Sequence, residues 1–184
     1  TNSQSYIPGF EGTQSSVNVN LQVKKGTPGA IIKSFSSSVV DAINIMLFTP
    51  VLSHSQDNGD ITGSAVSFLV YIQKDNSGTW EQAISGSFSG KTVTRYERLY
   101  RVEIPSSWKS SGFTQVSIKV ERTTDDSTSS KINNSLYWAG YSQVIDNKLR
   151  YPNSAIMALY VNAKQFSSTP KRAYEIKGIK IKVP

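Results

Sequence analysis

Between Arg95 and Ile104 the chain alternates: Tyr96, Tyr100, Val102 and Ile104 take even positions, while Arg95, Glu97, Arg101 and Glu103 take odd ones. Apolar residues at every second position share one face of an extended strand, because successive side chains point to opposite sides. The odd face can pair opposite charges in solvent, interrupted only by Leu99, while the tyrosines and β-branched residues pack inward. Pro105 has no N–H to donate and ends the strand. Nowhere does the sequence offer a comparable run at helical spacing, so this segment is read as the strand around which an all-β protein is organised.

The rest of the chain repeats that texture. Residues 1–16 read as an extended lead-in around Tyr6-Ile7-Pro8-Gly9-Phe10. Val17, Val19, Leu21 and Val23 then alternate with polar residues, and a short strand is expected from Ala30 to Phe35. The stretch Val39 to Leu52 is apolar on both faces, as in a central sandwich strand. His54 to Asp60 reads as a loop, with Asn58-Gly59 supplying a tight turn. Val66 to Ile72 is expected to form a hairpin through Asp75-Asn76-Ser77-Gly78 with a partner from Thr79 that includes Trp80 and Ile84.

Further on, Ser106 to Gly112 reads as a turn whose Trp108 plugs the end of the core, and Val116, Ile118 and Val120 as a strand. Thr123 to Ser130 is the most polar stretch, hence the expected mobile loop tip. Leu136 to Ile145 is an aromatic strand with Tyr137, Trp138 and Tyr141. About six or seven short strands without crossover helices predict an antiparallel β-sandwich of immunoglobulin or fibronectin type III kind. A further strand pair is expected in residues 148–184, where Ala155 to Ala163 is apolar on both faces and needs cover on two sides.

Composition narrows the chemistry. Cysteine is absent, which excludes thiolate catalysis, cysteine-ligated zinc and disulfide staples. The net charge of +7 raises the question of nucleic acid. The lysines, however, alternate with apolar residues instead of massing on one face, and the reading is a solvated basic surface with no specific nucleic-acid partner. No apolar run approaches the ~20 residues of a membrane-spanning helix, so no membrane insertion is expected.

No constellation reads as a catalytic, cofactor or metal site. Gly86-Ser87-Phe88-Ser89-Gly90-Lys91-Thr92 imitates a phosphate-binding loop but is one residue short between its glycines and runs on into β-type sequence. His54 is the sole histidine, set among serines in a polar loop. Glu97 and Glu103 are each flanked by arginine, which predicts ion-paired acids and not a raised general acid. Asp57, Asp60, Asp125 and Asp126 lack calcium-loop spacing. Trp80 and Trp138 are expected between the sheets, and Asn133-Asn134-Ser135 is a glycosylation sequon of no consequence outside a eukaryotic secretory protein. Exposed aromatics on such a sandwich leave a second reading open, a carbohydrate- or protein-binding adhesion module on a bacterial surface.

Several segments together carry a family likeness: Tyr6 to Phe10, Asp57 to Asp60, Gly90-Lys91-Thr92 with Tyr96-Glu97-Arg98, and Val144-Ile145-Asp146. The C-terminal part adds Lys148 to Ala155, Ala163-Lys164-Gln165-Phe166, Pro170, Lys177-Gly178 and Val183-Pro184. Across nearly its whole length the chain resembles the host-specificity J proteins, the tail tip attachment proteins of lambda-like siphophages. That resemblance implies an internal segment of a longer virion protein at the distal tail tip. Residues 17–147 would be a fibronectin-like domain inserted in a trimeric hub, and residues 148–184 a strand pair re-entering it. The implied partners are other copies of the chain, other tail-tip proteins and a host surface receptor reached through regions outside this segment. It implies no enzyme activity, no cofactor and no receptor-contacting residue within these bounds.

Overall fold

A computed structural model describes residues 11–26, 28–147 and Ala173. The Tyr6 to Phe10 knot and the strand pair expected in residues 148–184 lie outside the described residues. Two four-stranded antiparallel sheets pack face to face. The first has the order β1 (Glu11–Val23), β11 (Leu136–Asp146), β3 (Ala42–Thr49), β8 (Tyr96–Glu103). The second runs β2 (Ile31–Ser36), β9 (Gln115–Arg122), β6 (Ser64–Lys74), β7 (Glu81–Gly90). Three short strands, β10 (Ile132–Asn133), β4 (Ser53–Ser55) and β5 (Ile61–Thr62), form a small sheet of their own.

The alternating faces meet in the middle. Ile43, Ile45 and Leu47 of β3 and Trp138 and Tyr141 of β11 join Phe68, Val70 and Ile72 of β6 and Ile118 and Val120 of β9 in one buried cluster. Each such aliphatic side chain contributes about 1.5–3 kcal/mol of transfer free energy, enough to fix which face of every strand turns inward. As the two-sided pattern predicts, β3 is an interior strand, paired on one side with β11 and on the other with β8. The Val66 to Ile72 hairpin also forms, its tip turning through Asp75 and Asn76 at φ 45° and 52°. Such left-handed angles suit Asp and Asn, whose short side chains bond locally.

The structure departs from the sequence reading in six places. The strand expected to organise the sheet, β8, is an edge strand, and its inward row reaches full burial only at Val102 while Tyr96 is 37% exposed. β1 begins at Glu11, so the second part of the expected lead-in is strand. The expected turn at Ser106 to Gly112 holds a six-residue helix, α1 (Ser106–Ser111). Its Trp108 does enter the core, and its indole N–H donates to Glu81 at 3.0 Å. Trp80 stays outside β7 and lies half-buried near Lys119 Nζ, 5.2 Å from its ring, so Trp138 and Trp108 fill the interior and Trp80 does not. His54, read as a loop residue, sits in β4 opposite Thr62 and Ile132.

The polar stretch after β9 is the sixth departure. Arg122 at the end of β9 is 2% exposed and donates to the carbonyls of Thr124, Asp125 and Asn134 at 2.8–2.9 Å. Asp126 pairs with it at 3.2 Å, and the Lys25 backbone N–H donates to Asp126 at 3.0 Å. The segment expected to be a mobile tip is thus fastened to the sandwich at its start, because a buried guanidinium must find an acceptor for each of its N–H groups.

Candidate functional site

The acidic and basic groups singled out in the sequence are committed to one another. Arg95 pairs with Glu97 at 2.8 Å, and Arg101 lies between Glu103 and Asp146 at 2.6 Å from each. Asp57 pairs with Lys131, Asp125 with Lys25, and Asp60 accepts from the Asn58 amide at 2.8 Å. The Lys25 ammonium lowers the Asp125 pKa by its hydrogen bond and its charge. A carboxylate held this way is a poor general acid at neutral pH. His54 Nδ1 lies 3.1 Å from the Gln56 side-chain amide nitrogen. Among the described residues no three His, Asp or Glu side chains converge as a metal set would.

The phosphate-loop imitation has a packing explanation. Gly86 lies within β7, facing the Phe68 ring, and a Cβ there would come 2.7 Å from Phe68 Cζ. No helix follows Thr92; the chain turns instead into β8. Asn133 of the sequon donates its side-chain amide to Ser53 Oγ at 3.1 Å.

What the structure does assemble is a groove of about 260 Å³ on the outer face of the first sheet. Its cause is a pair of irregularities side by side. The β1–β11 register slips between Asn18 and Leu21, and the β11–β3 register slips between Trp138 and Gly140. Such bulges unpair a residue and sharpen the local twist. Asn20 takes φ 50° to make the β1 turn, and Gly140 allows the Val17 carbonyl to approach to where a Cβ would be 2.5 Å away. Asn18 and Asn20 of β1, Asn44 and Met46 of β3, Leu99 of β8 and Arg95 line the result.

Arg95 is held from two sides. Its guanidinium lies 3.8 Å above the centre of the Phe48 ring, and Phe48 stacks on Tyr137 at 5.0 Å with 16° between the planes. Glu97 fixes the edge of the same guanidinium through Nε and Nη2. Cation–π contact and the ion pair orient the group at the mouth of the groove. The lining therefore offers amides and one oriented guanidinium beside the apolar Met46 and Leu99. That set can donate to and accept from a hydroxylated ligand.

Comparison with known proteins supplies the family. The model of the tip attachment protein J FNIII-A domain matches residues 13–147, which is most of the chain. The chain belongs to the tip attachment protein J family. The tip attachment protein J of Escherichia phage SECphi4 is 31% identical over 188 aligned positions, covering 100% of this chain and 16% of that protein. That of Escherichia phage SECphi27 is 31% identical over 166, covering 90% of this chain and 13% of the relative. The chain therefore spans about one sixth or less of the length of these relatives. Among solved structures, a carbohydrate binding module from a glycoside hydrolase family 9 protein of Ruminococcus flavefaciens superposes with TM-score 0.45 at 11% identity, covering 73% of this chain and 98% of that one. The structure of infectious bursal disease virus Gx strain gives TM-score 0.40 at 12% identity, over 76% of this chain and 33% of that one.

In this tip attachment domain the groove is barely marked at the level of sequence. Its one trace is the alternation of Asn18 and Asn20 in an otherwise apolar-polar strand, since asparagine tolerates the left-handed angle that a bulge needs. Leu99 was legible as an oddity, an apolar residue on the charged face of β8, and it proves to line the groove.

Proposed function

We propose that this domain is a non-enzymatic structural component of the phage tail tip, contributing to the hub through which the tail attaches to its host and delivers DNA. The family match across the whole chain carries the reading. The commitment of the candidate acids to ion pairs, described above, agrees with it. On this reading residues 17–147 are the inserted fibronectin-like domain and residues 148–184 return to the hub. The hub is a trimer of such chains in contact with other tail-tip proteins, and the host receptor is met by other parts of the longer protein. A phage carrying a deletion of codons 17–147 tests this. Tails that fail to assemble or to inject support a structural role, whereas fully infectious particles overturn it.

A second reading, recognition of a saccharide or protein on a bacterial surface, rests on the groove. Its amides, the oriented Arg95 and the apolar Met46 and Leu99 suit a sugar ring, which has hydroxyls on its rim and C–H groups on its faces. Glycan-array binding that is lost on Arg95→Ala and Asn18→Ala, with adsorption of the phage reduced in parallel, would favour this reading over a purely structural role.

A further inference from the structure

An arginine has five N–H groups to place, and the hydrogen bonds of the buried Arg122 place four. Nε donates to the Thr124 carbonyl, Nη2 to the Asp125 carbonyl and the Asn134 side chain, and Nη1 once, to the Asn134 carbonyl. Among the described residues nothing accepts the second Nη1 N–H. Buried donors are so rarely left without an acceptor that this one marks a place where a group from outside the chain is met. Arg122 lies in the wall of a polar pocket of about 260 Å³. The half-buried Ser135 hydroxyl and the exposed Gln22 amide line the same pocket, and neither has a hydrogen-bond partner among the described residues. Lys24, exposed at the rim, has no carboxylate partner among them either. The pocket forms where β1 runs into its turn, beside the bridge from Lys25 to Arg122. That is the end of the sandwich opposite the corner where Glu11 and Asp146 face each other.

We propose that this pocket is a binding site for an acidic sugar, a hydroxylated ring that bears one carboxylate. Of the charged side chains in its wall, Lys24 and Arg122 are cations and Asp126 is an anion, which leaves a balance of one positive charge for a monoanion to neutralise. Asp126 is already engaged by Arg122 at 3.2 Å and by the Lys25 backbone N–H at 3.0 Å. The ligand carboxylate therefore takes the remaining Nη1 N–H from the interior side and the Lys24 ammonium from the rim, both of them charge-assisted bonds. The Ser135 hydroxyl and the Gln22 amide each donate and accept, as ring hydroxyls require. An adjoining recess shares Gln22, Lys24 and Asp126 and is lined further by Leu21, Pro28 and Ile31, apolar groups against which the C–H face of a ring can lie. A bare carboxylate or a phosphate uses only the charged half of this set. The site is separate from the groove on the first sheet, is built from the residues of one copy, and holds whatever assembly the chain enters.

The 184-residue chain itself provides the test. It is titrated at neutral pH with glucuronic, galacturonic and N-acetylneuraminic acids, and with glucose, acetate and inorganic phosphate at equal ionic strength. At least one acidic sugar should bind with a dissociation constant on the order of 1 mM. Binding should shift the amide resonances of Lys24, Asn134 and Ser135 and leave those of Asn18 and Asn20, in the groove, in place. Lys24→Gln removes an exposed charge and should weaken the sugar roughly tenfold or more at an unchanged melting temperature. Ser135→Ala leaves every charge in position and should weaken the sugar severalfold without altering the fainter response to acetate. The proposal is overturned by silence from all three acids at tens of millimolar, by equal binding of acetate or phosphate, by shifts confined to the groove, or by an affinity indifferent to both variants.

Discussion

Arg122 Nη1 donates to the backbone carbonyl of Asn134 at 2.8 Å while Nη2 donates to the same residue's side-chain carbonyl at 2.9 Å. One planar group thus fixes both the backbone and the rotamer of Asn134, which in turn donates to the Ala65 carbonyl at 3.3 Å and so reaches β6. Burial lowers the Arg122 pKa from its ordinary value, with Asp126 and Asp125 pulling the other way, and the group stays charged at any ordinary pH. Truncation to Ala leaves several carbonyls without a donor and should cost about 3–5 kcal/mol. Arg122→Lys should recover only a minor part, because an ammonium cannot reproduce the planar fork. Urea denaturation of the two variants measures this, and a loss below about 1 kcal/mol for Arg122→Ala would show the clamp to be dispensable.

Gly86→Ala should destabilise the domain by about 1–3 kcal/mol, since the new methyl meets the Phe68 ring and overpacking strains its neighbours. The ring has little room to retreat, with Phe88 at 5.7 Å and Tyr100 at 5.3 Å. Combining Gly86→Ala with Phe68→Leu should therefore lose less than the sum of the single changes. A thermal-denaturation double-mutant cycle with no coupling would contradict the packing explanation.

Asp75 accepts from the Thr114 N–H, the Gln115 N–H and the Thr114 hydroxyl at 2.8–2.9 Å, which ties the β6–β7 hairpin tip to the start of β9. The two backbone bonds lower its pKa below the usual carboxylate value. A depressed carboxylate lends stability that is complete above its unfolded pKa, near 3.9, and disappears as pH falls through the lower folded value. Asp125, lowered by Lys25, acts in the same direction. Unfolding followed from pH 6 down to pH 2 should show stability falling through the acid range. Asp75→Asn should be less stable at neutral pH and should flatten that fall. An identical acid slope in the variant would refute the assignment.

Asp41 is 7% exposed and joins three elements: it accepts from Lys109 Nζ of α1 at 2.8 Å and from the Asp146 N–H of β11 at 3.0 Å, while its carbonyl accepts from Ile104 N–H after β8. Asp41→Ala should cost about 2–3 kcal/mol, more than Lys109→Ala, because Lys109 is partly exposed and water can replace its carboxylate partner. Chemical denaturation that ranks the two the other way round would count against Asp41 as the junction.

These cases mark where the sequence was and was not legible. Strands buried on one or both faces were plain from their pattern: β3, β6, β9 and β11 all fall where alternation or two-sided apolar runs place them. Position within the sheet was not, since Arg95 to Ile104 has the cleanest alternation and yet lies at an edge, where half-exposed tyrosines satisfy the same period. Trp80 misses the interior that its strand pattern promised because a tryptophan's burial depends on which end of a strand meets the other sheet, a tertiary fact. Arg122 was hidden for the opposite reason: a charged residue ending a strand looks solvated, and only the convergence of three loop carbonyls makes its burial tolerable. The groove depends on two neighbouring bulges, of which only the one in β1 leaves a local sign, at Asn18 and Asn20.

In the β1–β11 ladder, Glu11 lies opposite Asp146, so the first described strand enters and the last one leaves at the same corner of the sandwich. A tensile load drawn through those two points does not shear the ladder along its length, where many hydrogen bonds would share the strain. It peels the two strands apart from that corner, one rung at a time, first at Glu11 and Asp146, then through Ser16 and Ser142, and only afterwards at the buried Val23 and Leu136. The domain is thus built to yield to pulling from its outer corner, one rung after another, while the buried Val23 and Leu136 at the far end of the zipper are the last to feel the force.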